Sequence, residues 1–166
     1  MKIKEEIIMT LKELEEMRNK ELGFDPENQK ECLEAVKQNP WALKYVKDQT
    51  EEICLEAIKQ NGLSLEFVKD QTPEICIEAI KRNPWALKYV KEQTPEICLE
   101  AVKRNGSILY YVKNQIGDIC LVAVKQDGLA LGYVKDQTKE ICLEAINQNK
   151  HAIIYVKDLS MLADEK

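Results

Sequence analysis

A period of 22 residues runs through most of the chain and constrains its fold more than any other feature. Six cysteines mark this period: Cys32, Cys54, Cys76, Cys98, Cys120 and Cys142. An alanine follows each cysteine by three residues, and a Tyr/Phe-Val-Lys triplet recurs with the same step. A fixed period of this length is typical of repeat proteins, in which each unit buries its flanks on its neighbours. The sequence therefore predicts six tandem units over residues 28–159.

The unit at residues 72–93 indicates how each repeat folds. It begins with Thr72-Pro73-Glu74, which places a hydroxyl at the N-cap, proline at the first helical position and an acid in the first turn. Apolar residues then cover a broad face of this helix, helix A, and of a second helix, helix B, after Asn83. We expect each helix to have about ten residues. Because helices this short are marginal alone, the units must stack, and the predicted fold is an all-α α-solenoid.

The junction between helices A and B contains one polar residue in every unit: Asn39, Asn61, Asn83, Asn105, Asp127 and Asn149. The next residue is proline in two units and glycine in three. Because proline cannot adopt a positive φ, we expect these residues to be N-caps of helix B. The alternative is a left-handed C-cap of helix A, which suits only the glycine units.

A leucine-rich repeat has a similar period and is the competing architecture. Its strand requires leucines two residues apart, whereas the apolar residues here recur at i, i+1, i+4 and i+5 with proline inside the strand region. The pattern therefore favours the solenoid.

The two ends differ from the repeats. Residues 1–27 are predicted to form an N-terminal capping helix, over residues 2–22 with Gly23 as its stop, and a linker. Residues 160–166 are predicted to be a C-terminal tail. Near the N-terminus, Glu5-Glu6 follow the Met-Lys start and no long apolar segment is present, so no secretory signal is predicted. We expect a cytoplasmic protein with reduced cysteines.

Charge and reactive residues disfavour several function classes. The chain has 24 Lys and Arg against 29 Asp and Glu, and this net charge of −5 disfavours a nucleic-acid groove. The one histidine, His151, has no Asp or Ser partner at catalytic spacing. Equivalent cysteines in stacked hairpins should lie about 10 Å apart, too far for disulfides, and no histidine accompanies them as a metal ligand. We therefore predict a non-enzymatic protein without metal or cofactor, in which the cysteines and the Tyr/Phe column belong to the core.

Two columns of helix B vary from unit to unit, although most other columns are nearly constant. One contains Trp41, Leu63, Trp85, Ser107, Leu129 and His151, and the other contains Lys44, Glu66, Lys88, Tyr110, Gly132 and Ile154. Solenoids bind partners through such variable positions, and tryptophan beside lysine is typical of interface hot spots. We predict that a protein or peptide binds the variable face, defined by Trp41, Lys44, Leu63, Glu66, Trp85, Lys88, Ser107, Tyr110, Leu129 and His151. The alternative is that tryptophan fills gaps between units.

The segments at residues 35–39, 57–62 and 101–106 share an Ala-(Val/Ile)-Lys-(Gln/Arg)-Asn core. This core resembles that of the bacterial and viral repeats called domain of unknown function 4116, over about residues 28–159. The resemblance implies a helical repeat and no catalytic residues. A monomer without membrane association, binding a protein or peptide, is the leading hypothesis. A nucleic-acid-binding repeat, with one unit per base, and a small-molecule binder or enzyme are the alternatives.

Overall fold

The computed structural model describes residues 2–163, with side chains described from residue 12 onward. Its α-helices are α1 (Lys2–Leu22), α2 (Gln29–Gln38), α3 (Glu51–Gln60), α4 (Pro73–Arg82), α5 (Pro95–Arg104), α6 (Gly117–Gln126) and α7 (Lys139–Gln148). Each of α2 to α7 is followed by a 3₁₀ helix, at Pro40–Tyr45, Gly62–Phe67, Pro84–Tyr89, Gly106–Tyr111, Gly128–Tyr133 and Lys150–Tyr155. A last 3₁₀ turn spans Leu159–Leu162. Within residues 2–163 there is no strand, so the predicted all-α solenoid of helical hairpins is confirmed.

Helix B is a six-residue 3₁₀ helix, so the expectation of about ten α-helical residues was wrong. In the first unit, Val46 ends the helix in an extended conformation and its N–H donates to the Leu43 carbonyl three residues earlier. Because a 3₁₀ helix has three residues per turn, Leu43 and Val46 lie on the same face, and both are buried. The short element therefore keeps the apolar contacts of a helix while it uses fewer residues.

The residue between helices A and B has an extended backbone in all six units, with φ between −143° and −154°. In the first unit, the Asn39 Oδ1 accepts a hydrogen bond from the Trp41 N–H at 3.1 Å. The N–H of Asn39 in turn donates to the Ala35 carbonyl of helix A. The prediction that these residues are N-caps of helix B is confirmed, and the same residue also ends helix A without a left-handed conformation.

One continuous core runs through the six units. It contains the six cysteines, the valines from Val46 to Val134 and the leucines from Leu43 to Leu131. All six cysteines are buried and free, as their packing role predicted. The Tyr/Phe column, however, lies at the edge of the core, since Tyr45, Tyr133 and Tyr155 are more than two-fifths exposed. For these three residues the core prediction was wrong. Phe67 and Tyr111, at the same position of equivalent 3₁₀ helices, pack against the core because a tryptophan of the preceding unit covers each of them, and the three exposed tyrosines have no such tryptophan.

A glutamine in each of the first five units joins neighbouring units through its side-chain amide. Gln93 Nε2 donates to the Leu87 carbonyl of its own unit and to the Tyr111 carbonyl of the next unit, at 3.3 and 3.0 Å. Its Oε1 accepts from the Lys113 N–H and the Cys98 thiol. The glutamine column therefore closes the junctions by hydrogen bonds to main-chain groups of two neighbouring 3₁₀ helices.

The segment after α1 covers the first unit. Gly23 ends α1 with a φ of +76°, and Phe24 is buried against the core. The Pro26 carbonyl accepts from the Lys47 N–H and the Asp25 carbonyl accepts from the Cys32 thiol. These carbonyls replace the glutamine Oε1 that serves the same two groups in later units. In α1 itself, Leu14 and Met17 are exposed.

Candidate partner-binding face

The 3₁₀ geometry brings the two variable columns together. Their residues are three apart in sequence, for example Trp41 and Lys44, and side chains at i and i+3 eclipse each other in a 3₁₀ helix. The two residues between them in the first unit, Ala42 and Leu43, are buried. Each unit except the fifth, which has Gly132 in the second column, therefore presents a pair of variable side chains, one above the other, on the outside of its 3₁₀ helix.

None of the ten residues of the variable face is fully buried. Exposed residues are Trp41, Lys44, Glu66, Trp85, Lys88, Tyr110, Leu129 and His151, while Leu63 and Ser107 are half-buried. The most exposed aromatic side chain is that of Tyr110, at 65%. The structure thus places all ten side chains on the 3₁₀ helices with a surface available to a partner.

Each tryptophan packs across the junction to the next unit. The Trp41 ring meets the Phe67 ring edge-to-face with centroids 5.6 Å apart, and the Trp85 ring meets the Tyr111 ring in the same way at 5.8 Å. Both tryptophans nevertheless keep about two-fifths of their surface exposed, 39% and 42%. Tryptophan therefore fills a gap between units and also contributes to the surface.

A row of rings continues beyond the second tryptophan. Tyr110 packs edge-to-face against Tyr111 at 5.0 Å and against Tyr133 of the next unit at 5.6 Å. We call Trp85, Tyr111, Tyr110 and Tyr133 the aromatic strip. It spans the third to fifth units without interruption, and each ring is held by at least one neighbour.

The charge of the variable face changes along the solenoid. In the first and third units, the Lys44 and Lys88 ammonium groups lie 4.5 Å from the centroids of the Tyr45 and Tyr89 rings. A hydrogen bond with Tyr89 raises the pKa of Lys88. The 3₁₀ helices of the fourth and fifth units, GSILYY and GLALGY, contain no charged side chain. The face therefore has a charged N-terminal half and an uncharged stretch after it.

Sequence reasoning missed part of this surface. Tyr45, Tyr133 and Tyr155 were assigned to the core, and Ile154, which is 73% exposed, was left out of the face. The available signal was the spacing between the Asn or Asp cap and the Lys after valine. That spacing is too short for a ten-residue helix and its loop.

The cysteines and lysines have structural roles. Burial raises the pKa of all six thiols, to about 11 for Cys54 and Cys76. From the second unit onward, the ammonium group of the lysine after each valine binds a main-chain carbonyl of the preceding unit, as Lys69 Nζ does with the Val46 carbonyl at 3.1 Å. In the first unit, Lys47 Nζ pairs with Glu15 and Glu27 instead. Among the described residues, no group of three His, Cys, Asp or Glu side chains could hold a metal ion.

Comparison with known proteins gives a family. The family model described as "Domain of unknown function (DUF4116)" matches residues 32–72, 50–93, 72–116 and 117–159. Each match covers about two units, and together the matches include nearly the whole repeat region. No curated protein and no solved structure matches the sequence significantly. No helix between residues 2 and 163 combines the length and apolar character that a membrane span requires.

Proposed function

Since the chain belongs to the DUF4116 family, a helical-repeat domain of unknown function, we propose that it is a non-enzymatic scaffold that binds a protein or peptide on its variable face. The glutamine and lysine columns, which hold the units together, are nearly constant in the chain. The variable side chains lie outside those two columns, and among them the two tryptophans and Ser107 also contact the next unit. A solenoid can therefore change its partner at these positions without a loss of fold.

The exposed aromatic row is the observation that supports this proposal most directly. Tyr110 and Trp85 expose 65% and 42% of their surface while their rings are fixed edge-to-face by neighbours. Aromatic side chains that are already ordered lose little entropy on binding, and they dominate the affinity of many interfaces. Isolated exposed apolar residues have no such meaning, but a contiguous row is typical of a binding surface.

The compartment and the assembly state belong to the same proposal. Six buried thiols without a disulfide suit a reducing compartment, so we place the protein in the cytoplasm. A monomer leaves the whole variable face free for its partner. Nucleic acid is a weaker candidate because the ammonium groups of the lysines after valine already have partners, which are main-chain carbonyls from the second unit onward, as for Lys113 Nζ and the Lys91 carbonyl, and Glu15 and Glu27 in the first unit.

A peptide-display selection tests this proposal. Random peptides are selected on the wild-type protein and on a Trp85→Ala/Tyr110→Ala variant. A matched control is Leu143→Ala, which removes an exposed apolar side chain of α7 outside the variable face. We expect peptides that bind the wild type and the control about tenfold more tightly than the variant, or about 1.4 kcal/mol. Peptides that bind all three proteins equally, or no retained peptides, would exclude the variable face as the site.

A further inference from the structure

The C-terminal end of the solenoid presents a second apolar surface, formed by Ile146, Ile153 and Val156, which we call the end face. We propose that the end face binds an amphipathic α-helix of a partner protein. This helix takes the place that helix A of a following unit would have. The end face is separate from the variable face and shares none of its ten residues.

The end face is the uncovered copy of a surface that is buried in every other unit. Ile153 is 47% exposed, whereas the five leucines at its position, from Leu43 to Leu131, are 0% exposed. Ile146 and Val156 are half-buried, and their counterparts in the first five units are at most 2% exposed. Among the described residues, the sixth unit has the same two helices as the others but no unit after it. The following unit is therefore what buries these positions elsewhere.

An α-helix covers this surface at the inner junctions. At the last of them, α7 packs against both α6 and the 3₁₀ helix Gly128–Tyr133 of the preceding unit. Because the end face has the same kinds of residue as the surfaces inside the solenoid, its ligand should have the pattern of a helix A. That pattern is four apolar residues at i, i+1, i+4 and i+5 with a small one at i+4, as in α6 with Ile119, Cys120, Ala123 and Val124.

The chain's own residues after the sixth unit leave the end face open. The 3₁₀ turn Leu159–Leu162 packs against α7, yet Ile153 remains exposed. In the sequence, the residue 22 positions after Cys142 is Asp164. A carboxylate is costly at a position that is buried in all six units, so this segment lacks the pattern of a seventh helix A. Terminal units of solenoids need a polar outer face, and an apolar one is typical of an interaction surface.

Lys150 favours a separate helix over a further repeat. The same position is proline or glycine in the first five units, and a Cβ on Gly128 would lie 2.4 Å from the Ala145 oxygen in the last turn of α7. A helix on the end face therefore has its last turn beside Lys150. Among the described residues, the Lys150 ammonium group has no hydrogen-bond or ion-pair partner. The free carbonyls and the negative dipole end of a helix C-terminus attract an ammonium group, so we expect the ligand helix to end there.

A helical peptide tests the proposal on the full chain. The probe has the sequence of α5 with its cap, Thr94–Arg104, with alanine in place of cysteine. A covalent cross-link between two positions on its polar face keeps the short peptide helical. The control peptide has the same composition in scrambled order and the same cross-link. We expect fluorescence polarisation to give a micromolar dissociation constant for the probe and binding about tenfold weaker for the control.

Matched isoleucine variants locate the contact. Ile153→Ala removes a side chain of the end face and should weaken binding of the probe about tenfold. Ile154→Ala makes the same change at the next residue, which is 73% exposed and belongs to a column that is exposed in the inner units as well. It should change the affinity less than about twofold. Lys150→Glu places a carboxylate beside the helix C-terminus and should weaken binding about fivefold.

Several outcomes would overturn the helical ligand. These are no binding, equal binding of the probe and the scrambled peptide, and equal losses for Ile153→Ala and Ile154→Ala. Unchanged binding by Lys150→Glu contradicts a helix that ends there. Self-association of the chain in sedimentation, abolished by Ile153→Ala, would make a second copy the occupant instead. If the probe is lost only by Trp85→Ala/Tyr110→Ala, it binds the variable face, and the proposed function stands without the end face. Circular dichroism shows whether each variant keeps the wild-type fold.

Discussion

Two kinds of junction hold the units together, and their difference explains where the tryptophans lie. In the second, fourth and fifth units, the first residue of helix B is a glycine: Gly62, Gly106 or Gly128. Each glycine lies so close to the next unit that an added Cβ would be 2.3–2.4 Å from a main-chain oxygen. In the first and third units, the same position is Pro40 or Pro84. A proline ring cannot approach so closely, so the two units must stand further apart at this point.

The proline junctions compensate for the lost contact in two ways. Tryptophan follows proline in both units, and its ring packs on an aromatic ring of the next unit. A side chain of the next helix A then donates to the helix that precedes the proline, as Gln60 Nε2 does to the Lys37 carbonyl at 2.9 Å. In the glycine junctions of the last units the direction reverses, and Gln148 Oε1 accepts from the Gly128 N–H at 2.6 Å. The same repeat therefore forms two types of junction, and only the proline type has an exposed tryptophan.

The largest effect is expected at a glycine junction. Gly128→Ala places a methyl group 2.4 Å from the Ala145 carbonyl oxygen, and backbone must move to accommodate it. We expect the free energy of unfolding to fall by about 3 kcal/mol. Pro84→Ala, the matched change at a proline junction, should cost less than about 1 kcal/mol. Urea denaturation measures both. A smaller loss for Gly128→Ala than for Pro84→Ala would show that the junctions do not differ in this way.

The two glutamines that cross the junctions should also differ. Gln148→Ala leaves the buried Gly128 N–H without its acceptor, which should cost about 1–2 kcal/mol of unfolding free energy. Gln60→Ala removes an exposed donor from the Lys37 carbonyl, which water can replace, so about 0.5 kcal/mol is expected. Thermal unfolding of the two variants side by side tests the difference. Equal losses would mean that burial of the glycine N–H is unimportant.

Removal of a tryptophan tests the compensation in a proline junction. Trp85→Ala removes the edge-to-face contact with Tyr111, and we expect a loss of about 1.5 kcal/mol in the free energy of unfolding. Leu129→Ala, at the same column of a glycine junction, should cost less than about 1 kcal/mol, because Leu129 is 38% exposed and its junction is closed by backbone contact. Chemical denaturation gives both values, and the reverse order would contradict the role assigned to tryptophan.

One substitution, of a buried serine, should raise the free energy of unfolding, whereas the substitutions above should lower it. Ser64 lies in the core beside the glycine junction of the second unit, and its hydroxyl has no hydrogen-bond partner. Four other units have alanine at this position. Ser64→Ala should therefore raise the unfolding free energy by about 1 kcal/mol. As a control, Ser107→Ala removes a hydroxyl that is bonded to Asp127 and should lower it by about 0.5 kcal/mol. Destabilisation by Ser64→Ala would indicate an unrecognised partner for that hydroxyl.

Most of the scaffold follows from the sequence, because its period and its caps are local signals. The cysteine column gives the repeat, and threonine and asparagine caps give the helix starts, as the Thr72 Oγ1 bond to the Ile75 N–H confirms. The length of helix B could not be predicted from these local signals. An α-helical and a 3₁₀ arrangement bury similar residues over six positions, and only the contact between units decides between them. The exposure of Tyr133 and Tyr155 depends on that choice and was missed for the same reason.

The variable face itself was found from differences among units within one chain. Its residues lie on helix B, as the comparison of units predicted. The division of the face into a charged half and an aromatic strip was not predicted. Edge-to-face contacts such as Tyr110 with Tyr133 join different units. Their geometry depends on how far apart the units stack, which glycine and proline set in different ways.

Both kinds of junction contain a residue of the cysteine column. The buried thiols affect the pH dependence of stability only in alkaline solution. Burial raises the pKa of Cys54 and Cys76 from 9.0 to about 11. The folded state therefore keeps these protons at a pH where the unfolded chain has lost them, so stability falls as pH rises between 9 and about 11. Below pH 9 the thiols are protonated in both states and contribute no pH dependence.

Thermal unfolding of the wild type and of a Cys54→Ala/Cys76→Ala variant at about pH 8 and about pH 10.5 tests this. The wild type should lose more stability than the variant, because tyrosine and lysine titration is common to both proteins and cancels in the comparison. An equal loss in the two proteins would contradict the burial of the thiols. Because Cys54 and Cys76 each bond the glutamine that precedes their helix A, single variants should show effects of similar size on the two sides of a glycine junction. A clear inequality would show that the junction type also changes the thiol environment, and the difference between proline and glycine would then extend into the core.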